Sequence, residues 1–138
     1  TIEQAAVALA NAFHFLILIF GIGISFGVTP LVAAADGAGN SSENTNLLKH
    51  SLFVNGLTGV LLFLLLFISS PVLYLLDQPI GVVDIAVPFL NILMLGMIPL
   101  CIFSGLKQFA EGLSFTRVAM YISVGSNLLN VLLNYLMV

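Results

Sequence analysis

Four stretches of this chain, Gln4–Ala35, Ser51–Leu76, Ile85–Leu106 and Val118–Val138, contain no Asp, Glu, Lys or Arg. Each reaches the roughly 20 residues that an α-helix, rising about 1.5 Å per residue, needs to cross about 30 Å of hydrocarbon. A backbone surrounded by lipid must pair its own N–H and C=O groups, so only helices and closed barrels span a membrane. Runs this uniformly apolar lack the alternation of barrel strands. The expected fold is therefore all-α: a polytopic membrane helix bundle of four transmembrane helices, over about residues 4–35, 49–76, 84–110 and 117–138. A soluble globular domain is excluded, because 7% of the residues are charged where roughly 25% is usual.

The few charges set the orientation. Lys49 follows the first run, while Lys107 and Arg117 flank the joint between the third and fourth; the opposite side carries Glu3, Asp77 and Asp84. The positive-inside rule then places loops 36–50 and 111–116 in the cytoplasm and Thr1 outside. The first run is too long for the apolar core of a signal peptide, and no basic residue precedes it. With no initiator Met ahead of an external Thr1, and no Gly, Lys or Arg marking a helix stop at Val138, the sequence is expected to be a piece of a larger membrane protein.

Along the chain, small and polar residues mark faces turned from lipid. Gly23 and Gly27 form a GxxxG pair, with Gly21 as a third small position, and predict close helix packing; no strand precedes them, so a dinucleotide fingerprint is the wrong reading. Asn11, His14, Ser25 and Thr29 fall in one arc of the first helix at about 100° per residue. His14 is either a proton carrier or an ordinary hydrogen-bonded histidine near the outer end. Gly37, Gly39 and the Ser/Asn cluster read as a loop; Asn40-Ser41-Ser42 fits a glycosylation pattern that a cytoplasmic loop would not use. Ser51, Asn55 and Thr58 share a face that either lines a cytoplasmic mouth or bonds to neighbouring helices. Pro99 frees the carbonyl of Leu95 and predicts a bend in the third span. Ser104 and Gln108 lie one turn apart beside Lys107.

The fourth run carries the densest polar pattern. Ser123, Asn127, Asn130 and Asn134, spaced four, three and four, fall within about 60° of one another along about 16 Å of helix, with Ser126 beside them. A single Asn between helices is ordinary glue worth about 0.6–2 kcal/mol. Three Asn and two Ser exceed that need and point to a polar cavity, where amide and hydroxyl oxygens hold a water chain or a small cation such as Na⁺ near Asn130 and Asn134.

The string FAEGLSFTRVAMYISVGSNLLNVLLNYLMV, Phe109–Val138, resembles the fourth-to-fifth helix region of the multidrug and toxic compound extrusion (MATE) family. GVTPLVAAADGAGN, Gly27–Asn40, resembles that family's second helix running into its first cytoplasmic loop. The resemblance covers the whole chain and implies helices two to five of the amino-terminal lobe of a twelve-helix, two-lobe transporter. It implies multi-pass residence in the cell (inner or plasma) membrane and secondary active multidrug efflux, in which Na⁺ or H⁺ enters as organic cations or other amphipathic compounds leave. There is no cofactor beyond the coupling ion. By the same resemblance, Asn130 and Asn134 fall on the fifth-helix part of a cation site and Ser104 on its fourth-helix polar position. The acid of the first helix lies outside this sequence, and residue 134 is Asn where some members have Asp. The expected partners are membrane lipids, the remaining helices of the same transporter and small organic cations.

Two other readings stand beside this one. A lipid-linked oligosaccharide flippase of the same superfamily would be expected to line its lobe with basic residues, and the apolar runs have none. A small four-helix structural or channel subunit would be complete as it stands. An enzyme is not expected, since His14 and His50 are 36 residues apart and no metal spacing, Ser–His pair or carboxylate dyad occurs. Nucleic acid is not an expected partner either: three basic residues make no electrostatic footprint.

Overall fold

The structure, a computed structural model, describes residues 1–137; Val138, the last residue of the expected fourth helix, lies outside them. Six α-helices follow one another: α1 Ile2–Phe26, α2 Val28–Gly37, α3 Ser41–Ser69, α4 Ile80–Leu95, α5 Met97–Gly112 and α6 Thr116–Met137, with a 3₁₀ helix, Ser70–Leu75, after α3. The chain is an all-α, multi-pass membrane protein. Ile2–Gly37 and Ser41–Leu75 are each long and apolar enough to cross a bilayer, and α4 with α5 makes a third crossing if the bent pair is one span. Two or three of the four spans expected from the sequence thus pass on length and hydropathy among the described residues. The region of difference is α6, whose apolarity is diluted by Asn127, Asn130 and Asn134.

Helix ends follow local chemistry. Gly39 adopts φ +70°, and the Asn40 N–H reaches back to the Ala35 carbonyl at 3.0 Å, closing α2 with a left-handed cap. Asn40 then caps α3: its Oδ1 accepts from the Glu43 N–H at 3.1 Å and its Nδ2 donates to Glu43 Oε2 at 3.0 Å. Most of the segment expected to be a loop, 36–50, is consequently helix, and α3 begins at Ser41. The Ser/Asn cluster that reads as loop residues instead supplies a cap and the polar first turns of a helix running past the apolar run. The α5–α6 joint is similar, with Ser114 at φ +63° and the Phe115 N–H bonded to the Ala110 carbonyl at 2.9 Å.

The bend expected at Pro99 is present. The axes of α4 and α5 diverge by 43°, with Gly96 at the joint and its N–H bonded to the Leu93 carbonyl at 3.0 Å. Proline at 99 has no N–H to offer Leu95, so the ladder is interrupted one turn earlier, where Gly96 adds no side chain to resist the change.

The core has an apolar half and a polar half. Ala6, Ala10 and Leu18 of α1 share one cluster with Leu62 and Leu66 of α3, Leu73 of the 3₁₀ helix, Val83, Ala86 and Leu90 of α4, and Met97 and Cys101 of α5. At the other end α3 and α2 both pack along α5. Small residues allow the approach: a Cβ at Gly59 would lie 2.8 Å from the Ile98 Cα, and one at Gly21 would lie 2.8 Å from Leu62 Cδ1. The expected packing pair is thus corrected. Gly23 has nothing within 4 Å of its Cβ direction, and Gly27 meets its own helix; among the described residues the close contact of α1 is made by Gly21.

Candidate functional site

Two polar constellations emerge, one buried and one open. The buried one joins α1, α3 and α5. Asn55 is wholly buried; its Nδ2 donates to the Ser51 carbonyl at 2.9 Å, while its Oδ1 accepts from the Ser25 hydroxyl at 2.5 Å. Ser51 Oγ approaches the Gly105 carbonyl at 3.4 Å. One turn further along, Thr29 Oγ1 donates to Gln108 Oε1 at 2.5 Å, tying the start of α2 to α5. Ser25, Ser51, Asn55 and Gln108 are buried and Thr29 half-buried, so an unpaired amide there would cost several kcal/mol.

Of the two readings of Ser51, Asn55 and Thr58, the structure selects the second. Ser51 and Asn55 are 5% and 0% exposed and hydrogen-bonded within the bundle; they lock helices together, and Ser51 also borders an apolar groove with Gly27, His50 and Val54. The sequence also placed Ser25 and Thr29 on one face of the first span, but their partners Asn55 and Gln108 were not paired with them. The missed signal is the small-residue spacing Cys101–Gly105–Gly112 on the face that also carries Gln108. A Cβ at Gly112 would lie 2.7 Å from Val32 Cβ. The other members of the expected α1 arc separate: Asn11 is exposed, and His14 is half-buried with Nδ1 lacking a partner.

The open constellation is on α6. Asn134 Nδ2 donates to Asn130 Oδ1 at 2.8 Å, both residues being exposed. Asn127 is also exposed, and Ser123 is half-buried. Four-residue spacing brings the Asn130 and Asn134 side chains together on one face. The pairing leaves the Asn134 side-chain oxygen as an acceptor and the Asn130 amide as a donor with no partner among the described residues. Val118, Ala119 and Ile122 meet α5; at about 100° per residue the asparagine strip lies roughly a quarter turn from that contact. Beyond Ser123 the strip is exposed, as are the other described residues of α6 from Val124 to Leu136.

Ser104 is half-buried on α5, and no hydrogen bond among the described residues joins it to α6. The structure brings Asn130 and Asn134 together and leaves Ser104 apart from them. Among the described residues no group of three His, Cys, Asp or Glu converges. Two neutral amides offer oxygen ligands but no charge to balance a cation.

Comparison with known proteins places the whole chain. The family model MatE matches residues 1–136. A probable multidrug resistance protein NorM of Rhizobium meliloti (strain 1021) is 32% identical over 136 residues, covering 99% of this chain and 29% of the relative. A probable multidrug resistance protein NorM of Photorhabdus laumondii is 29% identical over 143 residues, covering 100% and 30%. The multidrug resistance protein MdtK of Yersinia pestis (strain Pestoides F) is 30% identical over 137 residues, covering 99% and 30%. The chain thus spans about three tenths of the length of the curated relatives it matches. No solved structure matches it. With a family model that extends over nearly every residue, and relatives aligned across the same span, the chain belongs to the MatE family.

Proposed function

We propose that this chain is part of the amino-terminal lobe, helices two to five, of a secondary active multidrug efflux transporter. The observation that carries the reading is the family match over residues 1–136, joined by relatives whose names are those of multidrug resistance proteins. In this reading α1 with α2, α3, α4 with α5, and α6 are four membrane crossings of a twelve-helix, two-lobe protein in the cell membrane. Loops 36–50 and 111–116 face the cytoplasm, following the distribution of Lys49, Lys107 and Arg117.

An inward gradient of Na⁺ or H⁺ drives organic cations outward by shifting the balance between outward-open and inward-open states. The asparagine strip supports a coupling role for α6: it is polar and paired within itself, on a helix whose surface beyond Ser123 is left uncovered by the other helices described. Asn130 and Asn134 act as neutral ligands or hydrogen-bond partners to a carboxylate on another helix, with Asn127 and Ser123 extending the polar wall and Ser104 contributing from α5. Neutral amides do not carry the proton themselves, so the ionisable group is the carboxylate.

The test is ion-gradient-dependent transport. The full-length protein in proteoliposomes, loaded with a cationic dye, is expected to move dye when a Na⁺ or H⁺ gradient is imposed and to stop when the gradient is collapsed. Dye movement indifferent to both gradients would remove the antiport reading.

A further inference from the structure

The two halves of the bent span, α4 and α5, are held in different ways. α5 packs chiefly on α3 and α2, through directional contacts. The Ser51 hydroxyl donates to the Gly105 carbonyl at 3.4 Å and the Thr29 hydroxyl to the Gln108 carbonyl at 3.2 Å. A Cβ at Gly59 would lie 2.8 Å from the Ile98 Cα, so backbone meets backbone within two residues of the joint at Gly96. α4 packs chiefly on α1, and among the described residues no hydrogen bond or ion pair joins it to another helix. Its buried side chains, Val83, Ala86 and Leu90 among them, meet Ala6 and Ala10 in the apolar cluster. Apolar contact is non-directional and yields gradually as helices slide, whereas hydrogen bonds and glycine contacts fix a position.

The ends of α4 match this division. Pro88 lies inside the helix without ending it, so the interruption is concentrated at Gly96. There φ is −74° and ψ −12°, and among the described residues only the carbonyl oxygen of Leu93, in the same span, comes within 4 Å of the Cβ direction. At its other end α4 is tethered by residues 76–79, which form no helix. We infer that Gly96 is a hinge about which α4 swings as an arm against a fixed α5, opening and closing the seam between α4 and α1. Hinges of this kind confine the backbone change to a few element-terminal residues while packed helices slide. The device is independent of which compound or ion the whole protein handles.

The experiment is double electron–electron resonance on the full-length protein in lipid nanodiscs. Spin labels are placed at Ile85 and Phe53, across the hinge, or at Leu106 and Phe53, on its fixed side; all three positions are exposed. Ile85 lies about 16 Å from Gly96 along the helix and moves about 4 Å for a swing of about 15°. The Ile85–Phe53 distances should therefore spread about twice as widely as the Leu106–Phe53 distances. Gly96→Ala adds a methyl that this backbone conformation accepts, and should narrow the first distribution to the width of the second. Gly81→Ala makes the same exchange in the same helix, away from the joint and with nothing within 4 Å of the Cβ direction; it should leave the distribution wide. Equal widths for the two pairs in the unaltered protein, no narrowing in Gly96→Ala, or equal narrowing in Gly81→Ala would overturn the inference.

Discussion

Asn55 and Gly105 occupy one another's space: a Cβ on Gly105 would lie 2.5 Å from Asn55 Nδ2 and 2.7 Å from its Cγ. The glycine on α5 exists to admit the amide on α3, and the amide in turn bonds Ser51 on its own helix and Ser25 on α1. Gly105→Ala should therefore destabilise the full-length protein by about 1–3 kcal/mol through overpacking. Thermal unfolding in detergent measures it, and the Gly105→Ala/Asn55→Ala pair should be less destabilised than the sum of the single changes, because the two alter one contact. Strict additivity would mean that the contact is not shared.

The Thr29–Gln108 bond separates glue from coupling. Thr29→Val removes the hydroxyl with little change of shape and should cost about 0.6–2 kcal/mol. Because this bond lies in the buried seam and not on α6, gradient-driven dye transport should remain. A transport loss with stability intact would move the coupling site from α6 to the seam.

The start of α3 depends on Asn40. Asn40→Ala removes the acceptor for the Glu43 N–H and should cost about 0.5–2 kcal/mol. Amide hydrogen exchange is expected to rise over residues 41–46 and to stay unchanged beyond Asn55, where the helix is held by its neighbours. Uniform protection in the variant would show that packing alone fixes the helix start.

Straightening the third span is a test of the Pro99 bend. With Pro99→Ala the Leu95 carbonyl regains a donor, and the distance between spin labels at Ile80 and Leu106 should lengthen by about 3 Å as the 43° bend relaxes toward a straight helix. An unchanged distance would assign the bend to Gly96 and the packing around it.

How far the fold could be read beforehand differs along the chain. The apolar runs disclosed helices because membrane spans are set by length and hydropathy, which are local quantities. The bend was legible because a proline lacks its N–H wherever it sits. Asn40 misled because Ser and Asn serve loops and helix caps alike, and whether a cap or a loop follows depends on the turn at Gly39. The GxxxG spacing of Gly23 and Gly27 marks small surface on a helix without saying which neighbour lies against it; the contact went to Gly21, facing Leu62 and Cys101. Asn55 and Ser25 were each seen as polar, but their pairing is a matter of tertiary register that no local period encodes. On α6 the reverse holds. The Asn130–Asn134 contact is within one helix, so four-residue spacing was enough to foresee it.

The central claim is that the asparagine pair of α6 belongs to the ion-coupling machinery, and transport by Asn130→Leu and Asn134→Leu variants of the full-length protein tests it most directly. In proteoliposomes at matched protein amounts, with thermal unfolding confirming intact folding, the account predicts that either change lowers gradient-driven dye efflux at least tenfold, equivalent to about 1.4 kcal/mol or more of lost coupling. Efflux that retains its full dependence on the ion gradient in both variants would contradict it and return Asn130 and Asn134 to ordinary helix contacts.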